Sequence, residues 1–327
     1  MLRHLSIALA AAVGLSGCLS TTHRIPHQEL QRLAQTPPEQ RGQRVRVIQG
    51  FVTDDQPPAA PRVQGGATVV VVGDVHVGGG HHHVHRHRPN PKKLAKAKAD
   101  KAEYYVILAA LAAVGLAITE GARYDGWVQV HPMHPVHLYG PNGEYGWVPL
   151  AQLTPETAAW ARKAYIRPEE GPWRPLGRAP LNRRGWTYSV LLGAGQIPSS
   201  GDTNDAGFLS HIQFGYFPTG QLGLQADIAF GWREDELANT VLDARYALEL
   251  DAMLLRAGKF HAGGYGQIGS AALFDDGPGR DTRGVLLGAG VLLQLELTTR
   301  LALTGRAGIA QAHGERVQEF TAGLSIY

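Results

Sequence analysis

From Gly185 to Tyr327 the sequence alternates apolar and polar residues in one segment after another. Leu222, Leu224, Ala226, Ile228, Phe230 and Trp232 share one phase, and Gly223, Gln225, Asp227, Ala229 and Arg233 the other. Leu242, Ala244, Tyr246, Leu248, Leu250 and Ala252 repeat the pattern against Asp243, Arg245, Glu249 and Asp251. Val285, Leu287, Ala289, Val291, Leu293, Leu295 and Leu297 form a third apolar row, with Gln294 and Glu296 opposite. A period of two belongs to a β-strand with two unlike faces. This portion is therefore a sheet whose faces meet different surroundings.

Charge decides which face is inside. Asp227, Asp243, Arg245, Glu249, Asp251, Glu296 and Arg306 all lie in polar rows. Gathered in one interior, charges of both signs can neutralise one another, while the long apolar rows face hydrocarbon. A soluble lipocalin-like barrel is the alternative, and it would expose the charged rows and turn the apolar rows inward. Aromatic residues near strand ends, such as Trp186, Tyr216, Trp232 and Phe320, suit the girdles of a membrane barrel. Eight strands are expected near 185–196, 206–217, 221–233, 240–255, 259–274, 283–297, 300–312 and 317–327. Connections at 218–220, 256–258 and 298–299 are tight; those at 197–205, 234–239, 275–282 and 313–316 are longer or more polar.

This pattern resembles the small eight-stranded outer-membrane barrels of the OmpA and OmpX type, over the last two fifths of the chain. The resemblance implies a mainly β, antiparallel up-and-down membrane barrel with its short turns and both ends in the periplasm. One residue departs from the family's terminal signal. Phe320, Ala322, Leu324 and Ile326 continue the apolar row, whereas the terminal Tyr327 falls in phase with Thr321, Gly323 and Ser325.

The start of the chain is a targeting segment over residues 1–17. Arg3 and His4 precede an apolar run from Leu5 to Leu15, followed by small residues. Leu15-Ser16-Gly17-Cys18 resembles the bacterial lipobox, which implies cleavage before Cys18 and its lipidation. Together with the barrel it makes the whole chain resemble a barrel-bearing outer-membrane lipoprotein. Cys18 is the single cysteine, so no disulfide forms within one chain. A net charge of +3 gives no nucleic-acid signature.

Five stretches separate the signal from the barrel's end. Residues 18–60 read as a periplasmic segment with a helix over 27–35 and a strand over 44–52. Residues 61–91 form a Gly/His-rich linker. Its histidines, His81, His82, His83, His85 and His87, are candidate ligands for zinc, nickel or copper. Residues 92–120 lead from lysines into an apolar run and predict one helix. The apolar part, Tyr104 to Thr119, is short for a span, and export of the chain places both helix ends in the periplasm, buried or on the membrane surface. Residues 121–184 predict a small β module, a short helix and a linker. The module contains a hairpin across Gly140-Pro141-Asn142-Gly143 and a Gly-Trp-Val segment resembling bacterial SH3-like domains. That resemblance implies a periplasmic-protein or cell-wall partner for 121–153. Thr154, Pro155 and Glu156 open the helix. Residues 185–327 are the barrel.

Three functions follow. The first is a non-enzymatic outer-membrane lipoprotein whose barrel contacts outer-membrane lipid and holds a periplasmic module at the membrane. The second is a metal-binding envelope protein using the His-rich tract. The third is a lipid-modifying outer-membrane enzyme, which the residues argue against. Ser210 and His211 are adjacent and face opposite sides of a strand, and His261 and His313 have no evident serine or carboxylate partner in phase. A nucleophile needs a base within hydrogen-bond reach.

Overall fold

The computed structural model describes residues 19–51, 91–197, 205–234, 240–275 and 282–327. It contains a closed barrel of eight antiparallel strands and a separate seven-stranded sheet.

The barrel comprises β8 (Gly185–Ile197), β9 (Asp205–Phe217), β10 (Leu222–Glu234), β11 (Thr240–Ala257), β12 (Phe260–Asp275), β13 (Thr282–Glu296), β14 (Leu301–Ala312) and β15 (Glu315–Ile326). Each strand pairs with its sequence neighbours, and β15 closes on β8 through pairs such as Leu324 with Val190 and Ile326 with Tyr188. Closure removes every free edge. The fold class is the one that the alternation predicts, with strand limits displaced by one or two residues. Leu248, Leu250, Leu287 and Leu293 face outward and are more than half exposed. In β11 the register shifts between Met253 and Leu255, so Leu254 and Leu255 both emerge on the outside, as a bulge requires.

The second sheet has the order β5-β4-β6-β1-β2-β3-β7. Its strands are β1 (Leu19–Ile25), β2 (Val45–Phe51), β3 (Asp125–Val130), β4 (Pro135–Tyr139), β5 (Tyr145–Pro149), β6 (Lys163–Ile166) and β7 (Trp173–Arg178). Two helices, α1 (His27–Gln35) and α3 (Pro155–Trp160), cover one face. Leu30 and Leu33 of α1 meet Val45, Val47, Val128, Leu138 and Ile166 in the core. Thr154 caps α3 by accepting from the Thr157 amide at 3.2 Å. Residues 19–51 and 123–178 are thus one module, not a segment and a separate SH3-like unit. The stretch after Arg167, expected as linker, supplies β7 as an edge strand beside β3. Hydrophobic patterning marks each strand but not the pairing of β1 with β6 across more than a hundred residues.

Arg41 locks that module. Its buried guanidinium donates to the carbonyls of Ala34, Thr36, Leu150, Ala151 and Leu153. The module meets the barrel at the end where β8 begins and β15 finishes. There the Asn182 amide donates to the Thr299 carbonyl at 2.7 Å, and the Thr299 hydroxyl reaches the carbonyls of Asp125 and Ala179.

The remaining helix, α2 (Pro91–Ala122), is longer than the expected 92–120 and lies elsewhere. It runs along the outer wall of the barrel. Near its start Ala102 packs on Leu242, beside Phe230, Trp232 and Phe274, where the strands meet the loops. Farther along, the Tyr188 hydroxyl donates to the Ala109 carbonyl at 2.9 Å. At its end, Arg178 donates to the carbonyls of Gly121 and Arg123, and Glu120 and Arg123 line one cleft with Thr298, Thr299 and Arg300 at the turn end. Ala102 and Gly121 therefore sit near opposite rims of the barrel, whereas the sequence reading kept both helix ends on one side. The apolar run from Tyr104 to Thr119 lies inside a 22-residue helical stretch of high hydropathy, Lys101–Ala122, which is long and apolar enough to cross a membrane by length and composition.

Candidate functional site

Two places concentrate polar chemistry: the barrel interior and the outer face of the module's sheet.

Inside the barrel, Asp227, Asp243, Arg245, Glu249, Asp251, Glu296 and Arg306 are all buried, at 0–9 % exposure. Arg306 stands at the centre, with Glu249 at 2.6 Å, Glu319 at 3.1 Å and Asp227 at 3.9 Å. It also donates to the Gln267 amide oxygen at 3.0 Å. Its guanidinium lies 3.8 Å from the centre of the Tyr265 ring, a cation–π seat. The Tyr265 hydroxyl donates to Glu319 at 2.8 Å. Backbone without side chains makes room for this ring: a Cβ at Gly308 would lie 2.0 Å from the tyrosine oxygen. Arg245 bridges Asp243 at 2.8 Å and Glu319 at 3.1 Å. Asp251 accepts from Gln225 at 2.5 Å, and Glu249 from Gln213 at 2.9 Å.

Histidines complete the network. His211 meets Asp227 at 2.9 Å, His313 meets Asp243 at 3.2 Å, and His261 meets Glu296 at 2.5 Å. The last two correct the reading that His261 and His313 lack carboxylate partners. Those partners lie on other strands, so phase along one strand does not reveal them. Glu319, Tyr265 and Gln267 were missed for the same reason: each sits in an inward row, but the register across β12, β14 and β15 brings them together. Ser210 faces away from His211 and donates to the Phe230 carbonyl at 3.3 Å.

The turn end of the interior is closed by Tyr327. The terminal residue turns inward, as its phase requires, and packs edge-on against Phe217 at 5.4 Å with Leu181 and Ala302. Gln294 donates to its hydroxyl at 2.5 Å and accepts from Arg183 at 2.8 Å. Apolar groups fill the other levels: Ala247, Ala271, Leu286, Ala310 and Val317 at one, Met253 and Leu292 at another. An eight-stranded barrel is narrow enough for side chains to fill, and this arrangement braces the wall rather than lining a wide pore.

On the module, His137, Tyr139, Tyr145, Trp147 and Tyr165 share the sheet face opposite the core. His137 meets the Tyr145 hydroxyl and Glu170, each at 2.7 Å. Tyr139 lies between Tyr145 at 5.2 Å and Tyr165 at 5.8 Å. Burial raises the Tyr139 hydroxyl above its ordinary pKa. Tyr145 and Trp147 stand on the edge strand β5 and are more than half exposed. His131, His134 and His137, spaced every third residue, do not converge on one point. His131 accepts from the Met133 amide, His134 bonds the Arg167 carbonyl at 3.0 Å, and His137 takes the partners above. Among the described residues no group of three or more His, Cys, Asp and Glu could hold a metal ion. Cys18 and His81, His82, His83, His85 and His87 lie outside the described residues.

With this geometry in view, the chain is similar in fold to several solved barrels. Neisserial surface protein A is 16% identical, with 43% of this chain and 96% of that one covered and a TM-score of 0.38. Ail, the attachment invasion locus protein of Yersinia pestis, is 12% identical, with 44% and 98% covered and a TM-score of 0.34. The outer membrane protein AlkL is 12% identical, with 46% and 93% covered and a TM-score of 0.26. No protein-family model matches the chain, and no curated protein does.

Proposed function

We propose that this protein is a bacterial outer-membrane lipoprotein, non-enzymatic, whose barrel holds a periplasmic binding module against the membrane. The observation carrying the reading is the barrel's inversion: ion pairs fill the inside and leucines cover the outside. Such a surface is compatible with lipid, and in water it would leave a large apolar area exposed. Leu15-Ser16-Gly17-Cys18 supports a lipid anchor on the same side of the membrane as the module.

The module's aromatic edge supports a binding role. Tyr145 and Trp147 present flat apolar area on a sheet edge, next to the His137–Glu170 pair, and suit a peptide or glycan of the cell wall. Mass spectrometry of the mature N-terminus should show acylated Cys18. Co-sedimentation with purified cell-wall sacculi should be lost on Trp147→Ala with the module still folded. An unmodified terminus would remove the anchor from this reading, and undiminished sedimentation of Trp147→Ala would remove the aromatic edge.

A further inference from the structure

The outward residues of the barrel are not uniformly exposed. Leu250, Leu287 and Leu293 are open, but Val190, Ser210, Ile212, Leu242 and Ala244, in outward phase on β8, β9 and β11, are buried. The helix α2 lies across these strands. Its own exposure is two-sided. Ala102, Val106, Ala113 and Thr119 are buried, while Tyr104, Tyr105, Leu108, Val114, Leu116 and Ile118 stand out. Small residues against a partner and large apolar ones away from it are the pattern of a helix packed within a membrane.

We infer that α2 crosses the outer membrane as a ninth spanning element seated on the barrel, its large apolar face in lipid. The inference rests on the outer-membrane reading of the barrel. The 22 residues from Lys101 to Ala122 extend about 33 Å, against roughly 30 Å of hydrocarbon. The exposed helix face continues the barrel's own leucine belt from rim to rim, so one bilayer covers both. In water, that face would be an open apolar stripe with nothing over it. Lys101 then lies at the outer surface and Ala122 at the periplasmic one, and Pro91 is on the opposite side of the bilayer from Phe51.

Single cysteines in the full chain, with Cys18 retained and lipidated, test this with a membrane-impermeant maleimide. Thr282→Cys at the loop rim and Lys259→Cys at the turn rim report barrel orientation; Lys101→Cys and Ala122→Cys report the helix. In intact cells Thr282→Cys and Lys101→Cys should label to the same extent, and Lys259→Cys and Ala122→Cys only after the outer membrane is permeabilised. If Thr282→Cys labels in intact cells while Lys101→Cys waits for permeabilisation, the helix does not span and the barrel reading survives. If Thr282→Cys is silent in intact cells, the barrel orientation fails and takes the helix with it. Oxidative crosslinking of Ala102→Cys with Leu242→Cys should lock the seat; its absence beside a labelled Lys101→Cys would overturn the packing.

Discussion

Arg306→Leu is the sharpest test of the barrel interior. The substitution removes one cation from among Glu249 at 2.6 Å, Glu319 at 3.1 Å and Asp227 at 3.9 Å, and empties the seat over Tyr265. At an effective dielectric of about 20, each contact represents on the order of 5 kcal/mol of gross attraction. Desolvation offsets most of that, and breaking a buried pair by removing one partner costs about 3–5 kcal/mol, because the charge left behind has no counterion. Three carboxylates are left here, and Arg245 can serve only Glu319 among them. A loss of about 3–5 kcal/mol lowers the folded-to-unfolded ratio by roughly a hundred- to several-thousand-fold. Urea titration of the protein reconstituted in lipid vesicles, followed by tryptophan fluorescence, should show the midpoint falling sharply. Adding Glu249→Gln to Arg306→Leu should recover part of the loss, since it removes one uncompensated charge. If Arg306→Leu unfolds at the parent midpoint, or if Glu249→Gln only adds to the damage, the interior is not held by charge pairing.

Three further outcomes follow from the same structure. Leu250→Arg places a charge on the outward face of β11 and should cost about 2–4 kcal/mol near mid-membrane, read as loss of the compact, heat-shifted band on gels. Arg41→Met leaves five carbonyls without their donor and should destabilise the module by about 3 kcal/mol or more, read as a lower thermal midpoint, while Arg24→Met on the exposed face should not. His134 is buried, and burial lowers its pKa below the ordinary value. The unfolded chain then binds more protons than the folded one as pH falls through about 6.5, so the module should lose stability below that pH and keep it above. His134→Gln should flatten this dependence in thermal melts taken between neutral and mildly acidic pH.

How far the sequence reaches is visible in particular residues. A period of two, repeated eight times, specifies strands, and the charges of both signs in the polar rows specify which side is inside. Asp227, Arg245 and Arg306 could be assigned to the interior from periodicity and charge together, because a one-residue slip would put every one of them in lipid. Tyr327 could be turned inward by the same reasoning. What periodicity cannot supply is the angular order of inward residues around the barrel. That order depends on register between strands, which places Glu319 of β15 between Arg245 of β11 and Arg306 of β14, and gives His261 and His313 their carboxylates. Long-range pairing was hidden in the N-terminal half too, where β1 joins β2 and β6 into one sheet. The position of α2 was decided only by tertiary packing. Its sequence shows an apolar helix, but Ala102, Val106 and Ala113 acquire a partner only once closure of the barrel has built the wall they lie against.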